Sequence, residues 1–329
     1  PADPPTAAAA QSLTWSRDPF APAKRVPLRA SHTFGLLEID GKGTCVYSNS
    51  ASDFNDRSMI VGNKDYYLPP PAESHKNVFH SSVSGIVSRG EMNLMVYNNE
   101  FGSIASTDDK IDHSCVGIFQ NTGKTIDIGR ENYFYDYSHG ILLSGFTNQT
   151  EINISKNSFY NGYLNTPMRN FDGTAIRLTN ALPILRMNNA TIADNEIRIW
   201  DEVNSDYYQP RIGIHIANTG GVKIEENEIR FNLNVVPVDL YRGIRLEGSP
   251  ECLIRGNSID NHLTGGLPGF NGMLTGVRVD VSPFADIKCN TITNVGYCMD
   301  FQGETSYVPM ADNSMYSYNL GINLGFLSG

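Results

Sequence analysis

The chain has 329 residues, with 25 Lys and Arg against 35 Asp and Glu, a formal net charge of −10. That balance argues against a nucleic-acid partner, which needs a basic face, and no apolar run of about eighteen residues exists to cross a membrane as a helix. Only 18% of residues are charged while glycine numbers 30; with abundant Asn, Ser, Thr and Tyr, this is the composition of a secreted all-β chain of a size that can bury a sizeable core.

Residues 1–80 are irregular. The chain opens PADPPTAAAA, without an initiator Met, a basic start or an apolar core, so it reads as a mature or trimmed chain without a signal peptide. Pro-rich stretches from Pro19 to Pro27 and at Pro69, Pro70 and Pro71 read as extended connectors. Between them, TFGLLEIDGKGTCVYSNS and SDFNDRSMIVGN have the pattern of early strands, and the segment is expected to cover the open edge of the first regular repeat.

Residues 81–329 repeat. Glycine-led strands begin at Gly85, Gly117, Gly140, Gly173, Gly213, Gly243, Gly276 and Gly296, and asparagine-led strands alternate with them at Asn99, Asn132, Asn157, Asn195, Asn227, Asn257, Asn290 and Asn313. Fourteen residues separate Gly85 from Asn99, Gly213 from Asn227, Gly243 from Asn257 and Gly276 from Asn290, whereas the return to the next glycine varies from 6 to 19. One half of each repeat is therefore a fixed path and the other a loop site. Apolar residues one and three places after the glycine, such as Ile214 and Ile216, recur before and after the asparagine as Val222, Ile224 and Ile229. Period two in such short runs predicts strands with one buried face. Three strands per repeat predict an all-β parallel solenoid of about 9–11 coils stacked at ~4.8 Å, with turn asparagines in αL geometry bonded coil to coil. Cys252 falls on an inward position; Cys289 and Cys298, on either side of a short turn, are the candidates for a disulfide, and no Cys or His spacing suggests zinc.

The G-I-x-L and I-x-x-N-x-I signatures, over residues 80–329, resemble the right-handed parallel β-helix superfamily with the pectate-lyase-like fold. That resemblance implies the fold, but the superfamily holds lyases, hydrolases, epimerases, phage spikes and adhesins, so it does not imply one activity. The Asn-rich repeats and Pro-rich lead also resemble the extracellular β-helix proteins exported by bacteria of the Bacteroidota type.

Chemistry on such a fold lies on the outer strand faces. Arg177, His215, Arg245 and Arg278 stand at one outward register of the glycine strands, and Glu247, Asp280 and Asp300 two places further on. Loops leading into these strands carry Tyr160, Tyr163, Phe171, Trp200, Tyr207, Tyr208, Phe231, Tyr241 and Phe270. As a groove for an acidic glycan, Arg177, Trp200, Tyr207, Tyr208, Tyr241 and Phe270 would bind by stacking and paired N–H contacts. His215, Arg245, Arg278, Glu247, Asp280 and Asp300 would then supply the proton transfers of a lyase or the carboxylate pair of a hydrolase. The competing reading is a soluble surface whose charges pair across strands, as the second stripe Arg198, Arg230 and Asp260 also does.

Fragments of enzyme motifs are incomplete. Asp108 and Asp109 form a doublet and Ser138, His139 and Gly140 read SHG, but the RIK of polygalacturonase-like hydrolases is missing; Ile111, Asp112 and His113 reproduce IDH without the tryptophan of pectate lyases. His139 reads as a turn residue. Asp108, Asp109 and Asp112 are oxygen-ligand candidates for Ca²⁺, and no other cofactor is expected. The expectation is a secreted or cell-surface protein acting in binding, adhesion or as a scaffold, with a polysaccharide or surface protein as partner. A lyase or hydrolase acting on uronates is the alternative. The segment NLGINLGFLSG restarts a glycine strand at Gly321 and stops, so a further chain segment or partner subunit is expected at that edge.

Overall fold

The computed structural model describes residues 31–34, 38–41, 44–50, 58–62, 77–81, 84–90, 93–103, 114–121, 124–135, 137, 139–161, 173–181, 184–200, 211–233, 240–262 and 274–325. These form strands and turns with no helix, and hence no helix long and apolar enough to cross a membrane. Ten strands, from Ser31–Phe34 through Thr125–Gly129, Glu151–Ser155 and Lys223–Glu225 to Met310–Ala311, make one parallel sheet. An 18-stranded sheet holds both the asparagine strands, such as Glu228–Asn232, and the glycine strands, such as Tyr241–Glu247. Sheet neighbours come from successive repeats, and every pairing is parallel, an arrangement compatible with a solenoid.

The core is built of rows in register. Val96, Ile128, Ile154, Ile192, Ile224, Ile254 and Ile287 are fully buried, one per repeat. Phe79, Phe101, Phe134 and Phe159 stack with ring centroids 5.0, 5.0 and 4.6 Å apart, and Ile197, Ile229, Ile259 and Ile292 continue their row. Each such side chain contributes roughly 1.5–3 kcal/mol by leaving water.

The asparagines bond as expected, and Asn77 joins them. Each side-chain amide donates to the next carbonyl oxygen from Asn77 to Asn313, at 2.8 to 3.0 Å. The αL conformation belongs elsewhere than predicted. It falls on the residue before each asparagine, at Asn98, Glu131, Lys156, Asp194, Glu226, Gly256, Cys289 and Asp312, which turns the chain so that the amide can point inward.

The glycine's role is steric. A Cβ at Gly243 would lie 2.6 Å from the Gly276 carbonyl oxygen and 2.8 Å from Ile259 Cγ2, and one at Gly140 would lie 2.8 Å from the Phe159 ring. Register also corrects three of the glycine assignments. Cys115, Ala175 and Cys298 occupy the glycine position, because Val116, Ile176 and Met299 pair with Ile141, Ile214 and Val277; Gly117, Gly173 and Gly296 do not. Cys298 therefore points into the core while Cys289 is exposed in its turn, and both are free thiols rather than a disulfide. Cys252 is buried as expected, which pushes its thiol up to about 12.

Candidate functional site

At the glycine the alternation of faces resets. Tyr241 and Ile244, three residues apart, both lie in the core, so Arg242, Arg245 and Glu247 share the opposite face. Its side chains fall into three rows. His139, Thr174, Ile212, Arg242, Thr275 and Tyr297 form the first; Leu142, Arg177, His215, Arg245, Arg278, Asp300 and Asn323 the second. Ser144, Thr179, Ala217, Glu247, Asp280 and Gln302 form the third.

Asp300 is thus level with Arg278, not with Glu247 and Asp280, because Cys298 rather than Gly296 takes the glycine's place. The face points away from the core, yet it is not the open surface the sequence implied. His139, His215, Arg242, Asp280 and Asp300 are all buried, with Asp300 only 3% exposed.

The charges are interlocked. His215 Nε2 lies 3.1 Å from Glu247 Oε2, which also takes Arg245 Nη2 at 3.0 Å. Arg245 Nε donates to Asp280 Oδ2 at 3.0 Å, and Arg278 Nε donates to both Asp280 oxygens at 2.8 and 3.0 Å. Arg278 Nη1 then reaches Asp300 Oδ2 at 3.1 Å, whose other oxygen accepts from Gln302 and Asn323 at 2.7 and 2.8 Å. The hydrogen bond from His215, with Arg245 and Arg177 nearby, lowers the Glu247 carboxyl to about 2. It is an anion at neutral pH, not a proton donor.

Arg177 and His139 close the other end, with Arg177 Nη1 3.4 Å from His139 Nε2. Burial, then the charge of Arg177 and of His215, brings His139 down to about 4; burial also lowers His215 despite Glu247. Both imidazoles are neutral at physiological pH. His139 is a strand residue of this cluster, not a turn residue.

Arg242 is the residue the sequence reading passed over. It is 5% exposed, and among the described residues it takes part in no hydrogen bond or ion pair. Burial, then Arg278 and Arg245, pull its guanidinium down to about 10. The signal was present in YRGIRL: a cation beside the glycine, where other repeats have Ile212 or Thr275.

The aromatic candidates do not gather here. Tyr241 is a core residue, packed edge-on against buried Phe231 at 6.2 Å, because its register is that of Leu274. Trp200 packs near Tyr160 at 6.2 Å on an asparagine strand, and Tyr160 stacks on Tyr135 at 5.5 Å with Arg198 over its ring. Arg198, Arg230 and Asp260 continue that row; Arg198 pairs with Glu196 and Arg230 with Glu228. Tyr163, Phe171, Tyr207, Tyr208, Phe270, Asp108, Asp109 and Asp112 lie outside the described residues.

No protein-family model, curated protein or solved structure matches this chain.

Elsewhere, an open depression of about 340 Å³ on the ten-stranded sheet is lined by Asp127, Glu151, Asn153 and Thr191. Asp127 there accepts from the Tyr97 hydroxyl and from Asn153 at 2.8 Å, so it is already engaged. Among the described residues no three His, Cys, Asp or Glu side chains converge as a metal site.

Proposed function

We propose that the parallel sheets close into a right-handed β-helix, three strands per coil and about 9–11 coils, and that the protein acts outside the cell or at its surface in binding, adhesion or as a scaffold. One observation carries the non-catalytic part of this reading. Glu247, Asp280 and Asp300 are each held by an arginine or histidine. A glycoside hydrolase needs one carboxyl protonated and one free, and Glu247, lowered to about 2, is the opposite of a poised acid. The partner in this reading is an acidic polysaccharide or a surface protein, met by the cations Arg177 and Arg242 of this face. A further chain or partner subunit at the last repeat is also part of it. Asn313 receives the bonds of Asn290, but its own backbone N–H has no acceptor among the described residues, and Tyr316 and Leu324 are exposed.

The second reading, a polysaccharide lyase, is favoured by the neutral imidazoles of His139 and His215 on either side of Arg177. A neutral base beside a cation is what abstraction of a proton next to a uronate requires. A glycan array run with an unsaturated-product assay on uronate polymers separates the two. Binding without product supports the first reading. Product that disappears in His215→Ala, Arg245→Ala and Asp280→Ala proteins establishes the second, and neither binding nor product removes the glycan from both.

A further inference from the structure

We infer that Arg242 is the receptor for one carboxylate group of a small organic acid, bound on the outer face of the glycine strands between the Arg245 and Arg278 coils. Among the described residues, Glu247, Asp280 and Asp300 share this face with Arg242, Arg245 and Arg278, and the two histidines are neutral. The three carboxylates are engaged by His215, Arg245 and Arg278. Arg242 is left 95% enclosed with no hydrogen bond or ion pair among the described residues, while its nitrogens are not sealed from solvent. A buried cation in that state costs free energy unless something pairs with it.

The fold does not need an arginine at this place. Ile212 occupies the same register one repeat earlier and Thr275 one repeat later, so an apolar or small side chain packs there. What arginine adds is a planar fork of donors suited to a carboxylate. Asp280 and Asp300, which both act electrostatically on Arg242, favour a monovalent anion over a dianion. The role of this site as part of a glycan surface rests on the binding reading above, but the carboxylate site does not.

The test compares the intact protein with Arg242→Met and Arg242→Lys by calorimetry and thermal melting at low ionic strength, using sodium glucuronate, sodium acetate and sodium sulfate as probes. The parent should bind glucuronate and acetate saturably, and sulfate at least about tenfold more weakly. Arg242→Met should lose about tenfold or more in glucuronate affinity and, without ligand, melt about 2 °C or more above the parent, because the unpaired charge is gone. Arg242→Lys, which keeps the charge and loses the fork, should fall between them. Failure of every carboxylate to bind the parent, equal binding by Arg242→Met, a lower melting point for ligand-free Arg242→Met, or sulfate binding as tight as glucuronate would each overturn the inference. A glycan array without hits alongside these results would remove the polysaccharide reading and leave the carboxylate site standing.

Discussion

Replacing Asn227 with alanine isolates the contribution of the amide ladder. Its Oδ1 accepts from the Asn195 backbone N–H at 3.1 Å and from Asn195 Nδ2 at 2.9 Å. Its own Nδ2 donates to the Ile192 and Glu225 carbonyls at 2.9 and 3.0 Å and to Asn257 Oδ1 at 2.9 Å. Asn257 Oδ1 keeps the Asn227 backbone N–H after the change, and Asn195 Nδ2 keeps Ile154 O. The Asn195 backbone N–H keeps nothing, and Asn195 is buried between the neighbouring repeats. An orphaned buried donor costs about 1–3 kcal/mol and the other lost bonds add about 1 kcal/mol or more together, so Asn227→Ala should destabilise by about 3–5 kcal/mol. Asn313→Ala removes the same kind of contact at a half-exposed position, where water replaces it, and should cost about 1 kcal/mol. Guanidinium denaturation of both variants, monitored by circular dichroism, gives the comparison. Equal losses, or a loss under about 1 kcal/mol for Asn227→Ala, would refute the ladder as a source of stability.

His139, held near 4 against an ordinary 6.5, binds its proton less readily when folded than when unfolded, so stability should fall as pH drops through that window. Between about pH 7.5 and about pH 5 the His139 share is about 2 kcal/mol, and His139→Gln should show a correspondingly flatter dependence in urea melts. Glu247 does not obscure this, since its stabilisation is present above its unfolded value of 4.5 and is lost only as pH falls toward 2. Lys156 sits at φ +58°, a conformation that disfavours a Cβ, so Lys156→Gly should stabilise by about 1 kcal/mol, and an unchanged or lower melting point would contradict the turn geometry. Gly243→Ala places a methyl against the Gly276 carbonyl oxygen and Ile259 and should cost about 1–3 kcal/mol in the same denaturation assay, whereas Ala175→Gly, at the equivalent position, should cost less.

Much of the architecture could be read from the chain because one position per repeat admits little but asparagine. Asn99 through Asn313 each need a short amide that donates and accepts at once, so the residue type betrays the place. Glycine was a poorer marker. Its position requires only a small side chain, which Ala175 and Cys298 satisfy, and reading Gly296 as the marker moved Asp300 out of its row. The site was legible in part for the same reason. Arg177, His215, Arg245 and Arg278 fall in the strict period-two stretch after the glycine, where alternation predicts the face. His139 and Arg242 precede it, where the alternation resets, and strict period two assigns Tyr241 and Arg242 to the wrong faces. Burial of the outward face was not legible at all, since alternation along a strand tells which face a side chain takes and not whether that face is covered.

The most direct test of the binding account is a calorimetric titration of the full chain with an oligouronate while unsaturated product is monitored in the same sample. Saturable binding with no product, weakened by Arg242→Met, is the predicted result. Product that accumulates with the parent and vanishes with His139→Gln or His215→Ala would contradict it and make this face a catalytic one.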